Sequence, residues 1–292
     1  MSGDDRITSL AQALGPFPDA RVLLERYGLR AKKAFGQNFL ISERALRAIA
    51  DATVTTDEDW IVEIGAGLGT LTAQLAERVT AGKVIALEYD PDMIAVLRAE
   101  LGHLDNIEIE QVDAMRYDLK KAAEGRQITV CGNLPYHIAS QLMFRVVDAR
   151  HAIRHGVVMI QKEMADRIVA APGTKEYGAI GVMLRTYLNV STVIKVSAGS
   201  FLPPPKIDST VIKLVPLPGG APRAPIADEK HYSAVVHAAF GQRRKTLRNA
   251  LKAIFDPEKV DAALESTKID GIRRGETLDI AEFAALAAAI PL

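Results

Sequence analysis

The short apolar run Trp60-Ile-Val-Glu-Ile64 leads straight into Gly65-Ala-Gly67-Leu-Gly69. Glycines spaced in this way after a strand-like run predict a tight turn that opens a helix, with no side chain to keep a ligand off the backbone. Such a turn belongs to an open sheet whose strands are joined through helices, and the surrounding pattern agrees. Further strand-like runs fall at Lys83–Leu87, Asn106–Gln111, Ile128–Gly132, Gly156–Gln161, Ser191–Ser197 and Val211–Val215. Between them lie helical patterns at Gly69–Val79, Pro91–Leu101, Ile138–Asp148, Lys162–Ala170 and Tyr177–Leu188, with one more at Glu43–Ala52 ahead of the first strand. Ser42 and Asp90 are favourable N-caps, and Pro91 suits a first helical position. The alternation predicts a parallel sheet covered on both faces.

The stretch Pro216–Pro225 holds four prolines and two glycines, so no regular element runs through it and it reads as a linker. Beyond it the pattern is helical, at about Asp228–Phe240, Arg243–Phe255, Pro257–Leu264 and Ile280–Ala289. The expected organisation is therefore an N-terminal extension and basic arm over 1–40, a sheet domain over 41–217 and a small helical domain over 226–292.

Charge is informative only when read by segment. The chain of 292 residues carries 36 Lys plus Arg against 36 Asp plus Glu, a neutral total that argues against a nucleic-acid partner. That zero is a cancellation. Arg21–Ala50 holds seven bases and two acids, Thr56–Asp118 holds 14 acids and four bases, and Gly241–Lys252 holds five bases and no acid. Two basic clusters around an acidic module predict an anionic polymer held at the edges and a cationic small molecule in the middle. A single cysteine, Cys131, excludes a disulfide scaffold and fits a reducing cytoplasm. No apolar run reaches the ~18 residues of a membrane span, so no membrane partner is expected. The histidines show no ligand spacing, and no metal is expected.

The glycine turn departs from the dinucleotide fingerprint, because Thr70 stands where its third glycine is required. That argues against a dehydrogenase. Glu63, two residues before Gly65, would repel a pyrophosphate and suits a positive charge. Glu88 ends the second strand, where an acid accepts ribose hydroxyls. Asp113, after the third strand, can accept from an exocyclic adenine amine. Adenosine with a cationic tail and no phosphate describes S-adenosylmethionine, although the glycine turn alone also reads as a purely structural turn.

Cys131-Gly-Asn133-Leu134-Pro135-Tyr136 follows the fourth strand, at the edge where open sheets bind ligands. An aromatic amine is a poor nucleophile because its lone pair is delocalised into the ring. The Asn133 amide oxygen and the Leu134 carbonyl can accept its two N–H bonds and free that lone pair for a methyl group, while Tyr136 stacks on the base. In isolation the loop also reads as an Asn-Pro turn before a helix. Phe201, opening Phe201-Leu-Pro-Pro-Pro-Lys-Ile-Asp-Ser209, is placed to close the other face of the base, or else the segment is a stiff connection into the last strand. A base inside a duplex must flip out to reach such a slot.

Together, Phe35-Gly-Gln-Asn-Phe-Leu40, Glu63-x-Gly-x-Gly-x-Gly69, Asn133-Leu-Pro-Tyr136, Gln161-Lys-Glu163 with Arg167, and Phe201-x-Pro-x-Pro-x-x-x-Ser209 resemble the ribosomal RNA adenine N6-dimethyltransferases. More narrowly they resemble the bacterial small-subunit branch, the kasugamycin-sensitivity dimethylases. The resemblance implies an α/β fold, a class I (Rossmann-like) S-adenosylmethionine-dependent methyltransferase sheet with a small C-terminal all-helical domain. It implies dimethylation of two adjacent adenines near the 3′ end of small-subunit (16S) rRNA within an assembling particle, by a monomer. It places cofactor contacts on Asn38, Leu40, Gly65, Glu88, Asp113 and Asn133, and the target adenine by Asn133, Leu134, Pro135, Tyr136 and Phe201.

The basic clusters supply candidate RNA contacts: Lys32 and Lys33 in the arm, and Arg243, Arg244, Lys245 and Arg248 on the helix expected after the linker, where 244 and 248 share a face. Arg167 either joins them or pairs with Glu163 one turn away. About 30 residues precede the arm, more than such enzymes usually carry, and His137 beside the reaction loop reads as a surface residue. The large-subunit adenine methyltransferases of macrolide resistance share most of these motifs. A non-catalytic assembly or transcription factor on the same fold is the alternative of another class.

Overall fold

The computed structural model describes residues 17–136, 138–242 and 244–291; the first 16 residues, His137, Arg243 and Leu292 lie outside the described residues. The chain divides into two bodies, one running to Lys162 and resuming over Ser191–Pro216, the other built from Glu163–Val190 and Leu217–Leu292.

The first body holds the sheet. Its strands are β1 (Phe39–Leu40), β2 (Trp60–Ile64), β3 (Lys83–Glu88), β4 (Ile107–Gln111), β5 (Ile128–Asn133), β6 (Ile153–Gln161), β7 (Leu188–Val196), β8 (Phe201–Leu202) and β9 (Ser209–Pro216). Seven of them form one sheet in the order β4-β3-β2-β5-β6-β9-β7. β2 runs parallel to β3 and β5, β3 to β4, and β5 to β6. β9 runs antiparallel to β6, with Gln161 opposite Ser209. The expected all-parallel sheet is thus mixed. No α-helix lies between β7 and β9, so the crossover that a parallel return requires is missing there.

Before β5 the helices are α1 (Ala20–Arg26), α2 (Glu43–Thr53), α3 (Thr70–Ala76), α4 (Pro91–Leu101) and the short α5 (Leu119–Ala122); α6 (Ala139–Asp148) follows it. Ser42 caps α2 by accepting from Ala45 N–H, and Asp90 caps α4 with Pro91 at its first turn. The apolar stripe of α2 (Ala45, Ile49, Ala50) packs with Ile61, Leu75, Val84 and Val157 in one buried cluster. Burial of this kind is worth ~25 cal/mol per Å² of apolar surface.

The second body is helical: α7 (Lys162–Val169), α8 (Ala179–Tyr187), α9 (Glu229–Gly241), α10 (Leu247–Lys252), α11 (Pro257–Thr267) and α12 (Ile280–Ala289). Tyr177 and Val182 share a core with Tyr232, Val236, Leu251 and Phe283. Tyr177 also donates to the Leu278 carbonyl at 2.9 Å. Hence 163–190, expected in the sheet domain, belongs to this body, because its apolar face is buried against the C-terminal helices. The expected helix from Arg243 is shorter as well. Thr246 accepts from Asn249 N–H and caps α10, so Arg244 and Lys245 precede the helix and share no face with Arg248.

Candidate functional site

One cavity of about 440 Å³ opens at the C-terminal ends of β2, β3 and β5. Its lining joins the arm (Asn38, Leu40), the glycine turn, Glu63, Glu88, Asp113 and the loop Asn133–Tyr136. Among the described residues the lining holds three carboxylates and no Lys, Arg or His.

The turn is built by backbone geometry. Gly65 and Gly67 have φ of 73° and 58°, values that side-chain-bearing residues rarely adopt. The N–H groups of Gly65 and Ala66 both donate to the Leu87 carbonyl, at 2.9 and 3.1 Å. Gly67 N–H donates to Glu88 Oε2 at 2.8 Å. Glu88 Oε1 accepts from the N–H groups of Tyr89 and Asp90, at 2.7 and 2.9 Å. The Glu88 carboxylate is thereby fixed by three main-chain donors, and a carboxylate's four acceptor sites leave it room for a ligand hydroxyl.

Glu63 is only 2% exposed. Its Oε2 accepts from Thr72 Oγ1 at 2.6 Å. Burial pushes its carboxyl up to about 8; the Thr72 bond opposes that and the charge of Glu88 adds to it. Beside it in register, Cys131 is fully buried. Burial first, and the nearby Glu63 second, raise its thiol well above the usual range, as expected of a packing residue. Asp113 accepts from Met115 N–H at 2.9 Å and lies 3.9 Å from Arg116 Nε.

At the reaction loop, Asn133 Nδ2 donates to the Asn38 carbonyl at 3.2 Å. That contact occupies the donor end of the amide and leaves Oδ1 as an acceptor. Leu134 N–H is spent on the Met159 carbonyl at 3.1 Å. The Tyr136 hydroxyl lies 3.3 Å from Ser209 Oγ, which ties the loop to the start of β9.

Not every expected residue reaches the cavity. Phe201 is 2% exposed and packs in the sheet-side core with Leu40, Ile49, Leu71 and Met159. β8 pairs with β1, placing Phe201 opposite Leu40, so its ring is committed to the core and does not line the cavity. Lys32 is also committed: its ammonium lies 2.7 Å from Asp90 and 2.6 Å from Asp92. Lys33 is exposed. In the helical body Arg167, Arg244 and Lys245 are exposed, and no ion pair joins Arg167 to Glu163 among the described residues. Arg248 lies 3.5 Å from Asp261, which also pairs with Lys252 at 2.7 Å. Sequence reasoning missed Gln37, whose amide bonds Asp90, and saw Asp90 only as a cap. The one signal was the density of polar residues from Lys32 to Asn38.

A sheet of this topology, with a glycine turn and acids at successive strand ends, defines a class I S-adenosylmethionine-dependent methyltransferase. Residues 28–286 match the ribosomal RNA adenine dimethylase family, and the chain belongs to that family. The ribosomal RNA small subunit methyltransferase A of Anaeromyxobacter sp. (strain K) is 42% identical, covering 92% of this chain and 97% of that protein. Its namesake from Myxococcus xanthus is also 42% identical, covering 92% and 94%. Among solved structures, a dimethyladenosine transferase from Plasmodium falciparum superposes with a TM-score of 0.72 at 26% identity, over 85% of this chain and 95% of that one. The 23S rRNA methyltransferase ErmE gives 0.64 at 24% identity, over 87% and 99%, a likeness of fold.

Proposed function

We propose that this chain dimethylates N6 of two adjacent adenines near the 3′ end of small-subunit rRNA within an assembling particle. The observation that carries the reading is a cavity that joins three carboxylates, with no Lys, Arg or His among the described lining residues, to the Asn133–Tyr136 loop. That donor set fits S-adenosylmethionine: Glu63 for its positive charge, Glu88 for the ribose, Asp113 for the adenine amine, with Gly65, Asn38 and Leu40 around it. Bound there, S-adenosylmethionine supplies an electrophilic methyl group.

The chain's own residues do the rest by alignment. Asn133 Oδ1 and the Leu134 carbonyl accept the two N–H bonds of the target amine. Accepting both draws the nitrogen lone pair out of the ring. No strong base is needed, since the amine becomes acidic only once alkylated. The Tyr136 ring, tethered through its hydroxyl to Ser209, stacks on the base, a contact worth ~1–3 kcal/mol.

Exposed Lys33, Arg167, Arg244 and Lys245 grip phosphates, which sets register without reading sequence. No helix among the described residues is long and apolar enough to cross a membrane; we place the protein in the cytoplasm, working as a monomer.

The test is mass spectrometry of rRNA adenines after reaction of purified subunits with wild type and with Asn133→Ala. N6,N6-dimethyladenine on the small subunit, lost with Asn133→Ala, is expected. Product on the large subunit instead would assign the macrolide-resistance activity, and no product on either would leave a binding factor.

A further inference from the structure

Asp90 is completely buried and sits at the junction of the arm and the cofactor-side acids. Its Oδ1 accepts from Lys32 Nζ at 2.7 Å and from Asp92 N–H at 3.1 Å, and its Oδ2 accepts from Gln37 Nε2 at 2.7 Å. Its own N–H donates to Glu88 Oε1 at 2.9 Å. Burial by itself would raise this carboxyl; the bonds from Lys32, Asp92 and Gln37 outweigh it and hold the group below the usual carboxylate range. Asp90 is therefore a charged anchor at neutral pH.

The arm closes on that anchor. The other end of the Gln37 amide accepts from Lys32 N–H at 2.9 Å. Lys32 Nζ also lies 5.4 Å from the Phe35 ring centroid. Phe35 in turn meets Tyr89 edge-on at 6.1 Å. The next residue after Gln37 is Asn38, whose carbonyl receives the Asn133 amide at 3.2 Å.

We propose that Asp90 is a positioning residue that acts through Lys32 and Gln37, clamping the arm so that the Asn38 carbonyl holds the Asn133 amide with its oxygen free for the target amine. The same clamp keeps the arm side of the cofactor cavity in place, and its Glu88 contact joins the ribose side to it. Lys32 then belongs to the site's interior support and is not a phosphate contact. The inference rests on the reading of Asn133 given above. The physical point is that an acceptor misplaced by even ~1 Å loses much of its alignment benefit.

The experiment uses the full chain and small subunits that lack the modification. Lys32→Met removes the charge while keeping much of the stem; Lys32→Arg keeps the charge; Asp90→Asn is a second route to the same loss. Lys32→Met is expected to lower kcat about tenfold and to weaken S-adenosylhomocysteine binding, measured by calorimetry, by about the same factor. Particle affinity and its salt slope should stay unchanged, and Lys32→Arg should recover most of both losses. Combined with Asn133→Ala, Lys32→Met should add little further loss in kcat, as expected of groups acting through one contact.

Unchanged kcat and ligand affinity in Lys32→Met overturn the proposal, as does a flattened salt slope with kcat intact, which would make Lys32 a phosphate contact. If Asn133→Ala alone keeps full turnover, the role of Asn133 fails; the S-adenosylhomocysteine affinity of Lys32→Met and Asp90→Asn then still decides whether the clamp exists.

Discussion

Replacing Glu63 by Gln should abolish a pH dependence built into the cavity. Glu63 is buried, with one hydrogen bond from Thr72. Its carboxyl is pushed from 4.5 up to about 8. At ~1.4 kcal/mol per pH unit, that distance amounts to roughly 5 kcal/mol against the charged form in the ligand-free protein. Near pH 7 about one molecule in ten then carries the charge.

A cationic ligand selects that minority, so binding releases a proton below pH 8. Affinity for S-adenosylhomocysteine, through its ammonium group, should rise about tenfold per unit between pH 6 and pH 7.5, where the ammonium itself stays protonated. Fold stability without ligand runs the other way. The native state holds a proton that the unfolded chain loses, so Glu63 leaves stability unimpaired below pH 4.5 and costs progressively more as pH rises to about 8.

Calorimetry in two buffers of different ionisation enthalpy reads the released proton directly. Glu63→Gln keeps an oxygen for Thr72 and should bind with no pH slope and no proton release. Wild-type affinity that is flat from pH 6 to 8, with no proton released, would refute the reasoning.

Other consequences are simpler to test. Tyr136→Ala should lower kcat/KM by about 5- to 150-fold, the equivalent of ~1–3 kcal/mol of stacking, whereas Tyr136→Phe keeps the ring and should lose only the few-fold worth of its hydrogen bond to Ser209; equal losses would remove the stacking role. Arg244→Gln with Lys245→Gln should flatten the salt dependence of particle binding by roughly 1.5 in log–log slope, because both side chains are exposed and make no ion pair among the described residues. Phe201→Ala should act on stability, at about 3–5 kcal/mol in urea unfolding; a variant of full stability that has lost only activity would return Phe201 to the base slot.

Much of the sheet was legible because its signals are local. Trp60–Ile64, Lys83–Leu87 and the glycine turn announce themselves in consecutive residues, and the Ser42 and Asp90 caps fix two helix starts to the residue. What escaped is what depends on partners far away in sequence. The two-residue ladder of β1 and β8 has no periodicity to detect, so Phe201 looked available for a ligand when it is opposite Leu40 in the core. Lys32 looked like a free base in a basic stretch, because Asp90 and Asp92, which bind it, lie some sixty residues on. The carboxylates of the site were readable as types at strand ends. The main-chain bonds that fix Glu88 and the burial that shifts Glu63 were not, since both come from packing.

The helical body is assembled from two separated stretches of chain, and this sets a constraint on its synthesis. Tyr177 and Val182 are made well before Tyr232, Leu251 and Phe283, with which they share one core. During translation α8 must therefore keep an apolar face in reserve at least until α9, against which it packs, has left the ribosome. A fragment starting at residue 226 would lack Tyr177 and its bond to Leu278, and truncation within α12 would strip Phe283 and Leu286 from the same core. This body matures last, so premature termination near the C-terminus should leave an apolar surface that invites chaperones and proteases.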